Sequence, residues 1–238
     1  MTNGRVKGVI IAAGKGTRLL PLTEKVPKVM LEVGGKPIIG HIMNLMKSAG
    51  ITDIIITTCH LSQTIQDYFS DGKDFGVSLL YTKEKELVGN AGGIKTLGDF
   101  IAETFVVIYG DNIADVDLAE MIRFHKKKGA SATMGVYHEK EKPETKGIVE
   151  ADGNGRIVSF TEKPKNPKSD LANAAIYILE PSVFGYIPEG FSDFGKDVFP
   201  SMLAAGEPMY VFEVKSLIDI GTFETLEKAR KLFGHASR

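Results

Sequence analysis

The stretch that decides the fold reads Val6-Lys7-Gly8-Val9-Ile10-Ile11-Ala12-Ala13-Gly14-Lys15-Gly16-Thr17-Arg18. Its first half is an almost unbroken apolar run, which is typical of a strand buried on both faces of a parallel sheet. A glycine-rich loop follows this strand directly. Because open α/β sheets bind ligands in the loops at the carboxyl ends of their parallel strands, this loop is the first candidate for a binding site.

Strands and helices alternate outward from this stretch. Helical spacing begins at Pro37 and ends at Gly50, and β-branched runs at 53–58 and 104–109 predict further buried strands. Beyond residue 130 shorter strands dominate, with a hairpin turn predicted at 152–155, a helix at 197–205 and a terminal helix at 222–233. The sequence therefore predicts an α/β fold with a Rossmann-like, mostly parallel but mixed sheet between helices, and a small α+β part in its second half.

Composition excludes several classes of protein. The 29 Lys and Arg residues nearly cancel the 30 Asp and Glu residues, so no overall basic field exists to hold nucleic acid. A single cysteine, Cys59, excludes an intrachain disulfide framework and a multi-cysteine metal cluster, and it favours a reducing compartment such as the cytoplasm. The apolar run before Lys15 is too short for a membrane helix and has no signal-peptide pattern, so no membrane partner is expected.

The glycine-rich loop does not match either of the two common phosphate-binding motifs. A dinucleotide-binding loop needs a third glycine after Gly14 and Gly16, but Leu19 occupies that position. A P-loop needs Gly-Lys-Ser/Thr at the start of a helix, whereas Pro21 and Pro27 follow this loop. The loop therefore needs a different interpretation.

The loop combines three kinds of group that bind phosphate. Gly14 and Gly16 leave backbone amides available as donors, and the guanidinium of Arg18 offers a fixed fork of donors. The two prolines that follow allow the chain to bring Lys28 back to this loop. These groups together suit a polyphosphate, and a triphosphate in particular. An ordinary glycine-rich turn with surface cations is the alternative.

Two isolated acids are candidates for a metal site. Asp111 comes directly after a buried strand, and Asp219 stands between branched apolar residues, where a carboxylate is costly to bury without a partner. If the two converge, they suit Mg²⁺, which proteins hold with one or two carboxylates plus substrate phosphates. A role as a turn cap is the alternative for Asp111. The pair Glu162-Lys163 joins an acceptor for sugar hydroxyls to a cation for phosphate, or forms only a surface salt bridge.

The order of these motifs resembles a known family. Gly14-x-Gly16-Thr17-Arg18-x-x-Pro21-x-Thr23-x-x-x-Pro27-Lys28 is followed by Gly110-Asp111, Glu162-Lys163-Pro164, Asn173-Ala174-Ala175-Ile176-Tyr177 and Asp219-Ile220-Gly221-Thr222. This series resembles the sugar-1-phosphate nucleotidyltransferases, also called nucleoside-diphosphate-sugar pyrophosphorylases, from about Val6 to Leu232. The resemblance implies the nucleotide-diphospho-sugar transferase fold and a reaction between an NTP and a sugar 1-phosphate that needs Mg²⁺.

The resemblance also implies a role for each matching residue. Arg18, Lys28, Asp111 and Lys163 would be catalytic, and Asp111 and Asp219 would bind the metal. Sugar-phosphate contacts would come from Gly147, Glu162, Lys163 and Asn173. The nucleotide would be bound by Ala12, Ala13, Gly14, Gly16, Thr17, Arg18, Lys28, Gly89, Asn90, Gly92 and Asp111.

Further details favour mannose-1-phosphate guanylyltransferases within the family. Glu84-Lys85-Glu86-Leu87 and Lys196-Asp197-Val198-Phe199-Pro200 resemble them, and Gly92 stands where related thymidylyltransferases usually have glutamine, which leaves room for a larger base. The chain departs from the common pattern of the family at three positions. Lys146 stands where tyrosine is usual, Ala175 where glycine is usual, and Asn90 where threonine is often found. Glucose 1-phosphate or a heptose 1-phosphate with dTTP, UTP, CTP or GTP is an alternative pair, and a non-catalytic sugar-nucleotide-binding subunit is an alternative function.

We expect one nucleotidyltransferase domain over residues 1–238. Residues 1–130 would form its nucleotide-binding part and 131–238 its sugar-phosphate-binding part, without the left-handed β-helix that many relatives carry after it. A homo-oligomer is compatible with the resemblance, because relatives are often dimers or tetramers.

Overall fold

The computed structural model describes residues 6–234 of the chain. Its strands are β1 (Lys7–Ile11), β2 (Glu32–Val33), β3 (Lys36–Pro37), β4 (Asp53–Thr58), β5 (Ser78–Lys83), β6 (Phe105–Tyr109), β7 (Asn112–Asp115), β8 (Ala132–His138), β9 (Gly147–Ala151), β10 (Ile157–Glu162), β11 (Leu171–Leu179), β12 (Met209–Glu213) and β13 (Ser216–Asp219). Its α-helices are α1 (Ile38–Ser48), α2 (Ser62–Phe69), α3 (Gly89–Lys95), α4 (Leu118–Lys128), α5 (Phe199–Ala204) and α6 (Phe223–Gly234).

A nine-stranded sheet runs through both halves of the chain. β6, β1, β4 and β5 lie side by side and run parallel. β11 then pairs antiparallel with β6, and β8, β9, β10 and β12 extend the sheet from β11. The predicted mixed α/β sheet between helices is confirmed, and its antiparallel part comes from the second half of the chain.

Two apolar layers cover the two faces of this sheet. Ile10 lies in one layer, with Met46 of α1 and Met121 of α4, and its neighbour Val9 lies in the other, with Val107 and Tyr177. Adjacent strand residues point to opposite faces, so a strand that is apolar at every position must be buried on both sides. The unbroken apolar run at the start of the chain therefore has the environment that its composition predicts.

A small two-stranded sheet positions one of the candidate acids. β13 pairs antiparallel with β7, which begins directly after Asp111, and the register sets Asp219 opposite Asn112. The backbone N–H of Ile220 also donates to the carbonyl of Asp111 over 3.0 Å. Asp219 is therefore the last residue of a strand.

Two helices differ from the sequence-based expectation. Residues 89–95 form α3, although three glycines lower the helix propensity of this segment. Contacts with a distant loop offset this cost, because the Ala91 N–H donates to the Ser192 carbonyl over 3.1 Å. The predicted helix at 197–205 instead consists of one π-helical turn at Phe194–Val198 that continues into α5. Within residues 6–234, no helix is long and apolar enough to span a membrane.

The position of Ile10 in the central strand makes it a test of the core. Ile10 is fully buried, so Ile10→Ala should lower the free energy of unfolding by about 2–5 kcal/mol, through lost burial and the cavity left behind. Urea denaturation measures this change. Val158→Ala on β10, where the side chain is 60% exposed, should stay within about 0.5 kcal/mol of the wild type. Equal losses in the two variants would contradict the assignment of β1 to the core.

Candidate active site

Two cavities adjoin at the carboxyl ends of β1 and β6. Their volumes are about 270 and 330 Å³, and Asn90, Tyr109 and Asp111 line both of them. The first cavity has mainly apolar and backbone walls, and the second has mainly polar walls. A ligand that occupied both cavities would pass from the apolar cavity to the polar one beside Asp111.

The first cavity contains most of the residues predicted to bind a nucleotide. Leu87 and Phe191, which are 37% and 73% exposed, form part of its wall and present apolar surface to solvent. The predicted residues that line it are Ala12, Ala13, Gly14, Gly16, Lys28, Gly89, Asn90 and Asp111. Arg18 lines the second cavity instead, whereas Thr17 and Gly92 line neither one.

The glycine-rich loop is held closed by contacts that only glycine permits. Gly16 has a φ of 65°, and a β-carbon there would lie 3.0 Å from Lys28 Cβ and 3.1 Å from Thr23 Cγ2. The buried hydroxyl of Thr23 donates to the Gly16 carbonyl over 2.9 Å. The loop therefore folds back on itself and brings Lys28 beside the first cavity, as the pair of prolines predicted.

Gly92 is enclosed by protein. A β-carbon at this position would lie 2.7 Å from the Gly190 carbonyl oxygen and 3.2 Å from Val88 Cβ. A side chain at this position would collide with the neighbouring loop, so close packing explains glycine here. Asn90, two residues earlier in the predicted base loop, links this loop to the segment at 193–194. Its side chain accepts from the Phe194 N–H over 2.7 Å and donates to Asp193.

The second cavity contains the residues predicted to bind a sugar phosphate. Charged side chains from six separate segments line this cavity, although the segments are far apart in the sequence. The lining includes the predicted residues Arg18, Asp111, Gly147, Glu162, Lys163, Asn173 and Asp219. It also includes Lys146 and Asp193, which were not predicted as site residues.

Glu162 sits between two glycines at the base of this cavity. A β-carbon at Gly147 would lie 2.8 Å from Glu162 Oε2, and one at Gly195 would lie 2.9 Å from the same oxygen. Burial raises the pKa of Glu162, and the ammonium of Lys163, 3.7 Å from Oε1, acts in the opposite direction. The carboxyl group lines the cavity, where its oxygens can accept hydrogen bonds from a hydroxyl group of a ligand.

Asn173 is held in place by the bulged part of β11. Its amide donates to the hydroxyl of Tyr177 over 2.8 Å, and its side-chain oxygen accepts from the Ala175 N–H over 2.8 Å. Ala175 has a φ of 53°, a conformation that costs a non-glycine residue about 1–2 kcal/mol. The chain therefore accepts some backbone strain at Ala175, where the resemblance led us to expect glycine.

Each of the two candidate metal ligands is paired with a lysine. Lys28 donates to Asp111, and Lys146 Nζ lies 3.2 Å from Asp219 Oδ2. Because the β7–β13 ladder joins the backbones beside both acids, the carboxylates belong to one wall of the second cavity. Two carboxylates that line one cavity are hard oxygen donors of the kind that suits Mg²⁺, which would take its remaining ligands from substrate and water.

Sequence reasoning missed Lys146 because its position is typical of a different residue in the family. Its side chain is only 27% exposed. Burial is the largest single influence and acts to lower the pKa of Lys146. The charge and hydrogen bond of Asp219, together with the charges of Tyr137 and Glu139, outweigh burial and raise the pKa above its ordinary value. Lys146 is therefore a charged lysine inside the site.

Arg18 is positioned by a glycine in the last of the sequence motifs. A β-carbon at Gly221 would lie 2.9 Å from a guanidinium nitrogen of Arg18. The absence of a side chain at Gly221 thus allows the guanidinium to lie against the segment that follows Asp219. This contact brings together the first and last motifs of the chain.

The sheet topology and the two cavities define the nucleotide-diphospho-sugar transferase class of folds. The family model described as Nucleotidyl transferase matches residues 7–234, and the chain belongs to this family.

Relatives and a solved structure agree with this membership. The chain is 37% identical over 233 residues to a UTP–glucose-1-phosphate uridylyltransferase from Synechocystis, covering 91% of this chain and 60% of the relative. It is 34% identical over 209 residues to a mannose-1-phosphate guanylyltransferase from Mycobacterium tuberculosis, covering 87% and 58%. The crystal structure of a Bacillus anthracis protein designated a glucose-1-phosphate thymidylyltransferase, in complex with sucrose, has a TM-score of 0.89 and 31% identity over 96% of this chain and 95% of that one. The chain thus spans about 60% of the length of these two curated relatives.

The raised pKa of Glu162 predicts a pH-dependent effect on stability. The folded protein binds this proton more tightly than the unfolded chain, so the stabilisation is present at low pH and is lost as the pH rises through the raised pKa. Glu162→Gln should therefore be more stable than the wild type at about pH 7, and the difference should shrink toward about pH 4. Urea denaturation at both pH values measures it, with exposed Glu86→Gln as the control. A pH-independent difference would show that ionisation of Glu162 is not its cause.

Proposed function

We propose that this chain is a nucleotidyltransferase that joins an NTP to a sugar 1-phosphate and releases pyrophosphate. The observation that carries the proposal is the junction, at Asp111, of an apolar cavity beside a glycine-rich loop with a polar cavity that contains three cationic side chains. The first cavity would take the base and ribose, and the second would take the sugar phosphate. The reacting phosphates would then meet at Asp111.

The chemistry requires alignment and charge neutralisation. A phosphate monoester has a second pKa of about 6, so it is mostly a dianion at neutral pH and needs no general base. One of its oxygens attacks the α-phosphorus of the NTP in line and forms a new P–O bond. The bond from the α-phosphorus to the bridging oxygen breaks, and pyrophosphate leaves with the electron pair. The protein contributes mainly by positioning these anions and stabilising their charge.

The cationic side chains would divide this work between the two substrates. Lys28, from the first cavity, would contact the reacting phosphates, and Arg18 would stabilise the departing pyrophosphate with its planar fork of donors. Lys163 would bind the sugar phosphate. Asp111 and Asp219 would hold Mg²⁺, which when bound supplies positive charge to phosphate oxygens.

The sugar would be recognised by groups that are already oriented in the second cavity. Glu162 would accept hydrogen bonds from sugar hydroxyls, and its position is fixed by the close approach of Gly147 and Gly195. Asn173 would add an amide whose orientation is set by Tyr177 and the Ala175 N–H. Rigid partners of this kind lower the cost of ordering the site when substrate binds.

GTP and mannose 1-phosphate are the substrate pair that we propose. Support comes from the segments around 84–87 and 196–200 and from the mannose-1-phosphate guanylyltransferases among the relatives, including those of Mycobacterium tuberculosis and Yarrowia lipolytica. UTP and glucose 1-phosphate form the second candidate pair, because the Synechocystis relative with 37% identity is named for that reaction. Gly92 does not decide between the two bases, since the Gly190 carbonyl and Val88 already explain the absence of a side chain there.

A matrix of substrates tests the proposal. Pyrophosphate release is measured with GTP, UTP, dTTP and CTP, each combined with mannose, glucose and heptose 1-phosphates. We expect the highest kcat/KM for GTP with mannose 1-phosphate. A maximum for UTP with glucose 1-phosphate would assign the second pair. Binding of a nucleotide sugar without turnover in every combination would contradict the proposal and favour a non-catalytic subunit.

The two candidate metal ligands give a mutational test. Asp111→Asn and Asp219→Asn should each lower kcat by at least about a hundredfold, because each removes a charged oxygen donor from the place where transition-state charge develops. The same assay measures this loss, and urea denaturation checks that folding is retained. Asp115→Asn, an exposed change four residues beyond Asp111, is the matched control and should leave kcat near that of the wild type. Full activity in either site variant would remove that residue from the metal site.

A further inference from the structure

Lys146 is a half-buried cation of the second cavity to which the proposed mechanism gives no role. Its Nζ lies 3.2 Å from Asp219 Oδ2, and its side chain is 27% exposed. It lies immediately before β9 and lines the same cavity as Arg18 and Lys163. A charge in this location affects any phosphate that enters.

The backbone places Lys146 beside the lysine proposed to bind the sugar phosphate. The Lys163 N–H donates to the Lys146 carbonyl over 2.9 Å, at the end of the β9–β10 ladder where Glu162 pairs with Gly147. Lys163 itself has a φ of 50°, so the chain turns sharply at this point. The two lysines therefore share one rim of the cavity, although 17 residues separate them in the sequence.

The second cavity has more acidic than cationic side chains in its lining, which disfavours the binding of a phosphate. Its lining carries three cationic groups, on Arg18, Lys146 and Lys163, and four acidic groups, on Asp111, Glu162, Asp193 and Asp219. A sugar 1-phosphate adds between one and two further negative charges at neutral pH. Repulsion among these groups must be offset inside a partly desolvated cavity, where charges interact more strongly than in water. Lys146, which pairs with Asp219 in the free protein, is a further source of positive charge within the same cavity.

Each of the two candidate metal ligands pairs with its own lysine, and the two lysines belong to different cavities. Lys28 pairs with Asp111 and belongs to the first cavity, and Lys146 pairs with Asp219 and belongs to the second. When Asp219 ligates a divalent cation, its charge is offset by that cation and no longer requires Lys146. The flexible four-carbon stem of lysine then allows the ammonium group to turn toward an incoming phosphate.

We infer that Lys146 is a phosphate-binding residue for the sugar 1-phosphate, and that it pairs with Asp219 until a metal ion takes that carboxylate. The inference rests on the proposed function for the identity of the phosphate ester. It predicts two separate effects of removing the charge. Sugar-phosphate binding weakens, and binding of a divalent cation to the free protein strengthens because Asp219 has lost its competing partner.

The first measurement is calorimetric titration of mannose 1-phosphate and glucose 1-phosphate in the presence of Mg²⁺. Lys146→Gln should raise the Kd of whichever ester the wild type binds by about tenfold or more, which corresponds to the loss of a charge-assisted hydrogen bond. Lys146→Arg, which keeps the charge, should stay within about threefold of the wild type. Lys140→Gln, an exposed change six residues earlier, is the matched control and should have no effect.

The second measurement is titration of Mn²⁺ into the free protein, followed by the loss of its electron paramagnetic resonance signal. Lys146→Gln should bind Mn²⁺ several-fold more tightly than the wild type, and Lys140→Gln should match the wild type. Lys146→Met serves both measurements if the glutamine variant does not fold. A purely structural role for Lys146 would not produce opposite changes in the two affinities.

The outcomes separate this inference from the proposed function. An active wild type whose sugar-phosphate Kd is unchanged within about twofold by Lys146→Gln rejects the role of Lys146 and leaves the reaction intact. Unchanged Mn²⁺ affinity in the variant rejects its pairing with a metal ligand. A wild type that neither turns over nor binds either ester rejects the proposed function, and the inference with it.

Discussion

The ion pair between Lys28 and Asp111 is the contact on which the candidate site depends. It joins Lys28, against which the glycine-rich loop after β1 packs, to Asp111, two residues beyond β6, and it lies where the two cavities meet. A half-buried charge pair is costly to desolvate, so it persists only where geometry and neighbouring groups support it. Here the support comes from the parallel β1–β6 ladder and from Gly16, which lies against Lys28 Cβ. The central sheet therefore determines how closely the opposite charges approach.

The rest of the site extends this arrangement through backbone contacts. The β7–β13 ladder brings Asp219 to the same wall as Asp111, and the β9–β10 ladder brings Lys146 beside Lys163. Glycines then allow side chains to lie directly against main chain, as Arg18 does at Gly221. Short contacts of this kind restrict movement, which is what electrostatic positioning of several anions requires. The free protein already has carboxylates and ammonium groups paired at this junction.

Individual elements reveal which parts of the fold local sequence can predict. β4 has the predicted bounds, 53–58, and β6 covers 105–109 of the predicted 104–109, because each shows a strong apolar pattern along its own length. α3 was not predicted, since its glycines disfavour a helix and its stability comes from contacts with the loop at Ser192. Gly92 is another case, because only the neighbouring Gly190 carbonyl explains the absence of a side chain. Local propensity does not report such distant contacts.

The sequence by itself determined the fold class, most of its elements and the family, because apolar periodicity and motif spacing are properties of the chain alone. It also identified the acids and cations that line the second cavity, apart from Lys146 and Asp193. Only the tertiary structure decided which charges pair, that Arg18 lies against Gly221, and that Lys146 lies on Asp219. These facts depend on strand register and on contacts between residues far apart in the chain, and pairing across a sheet has no local signature.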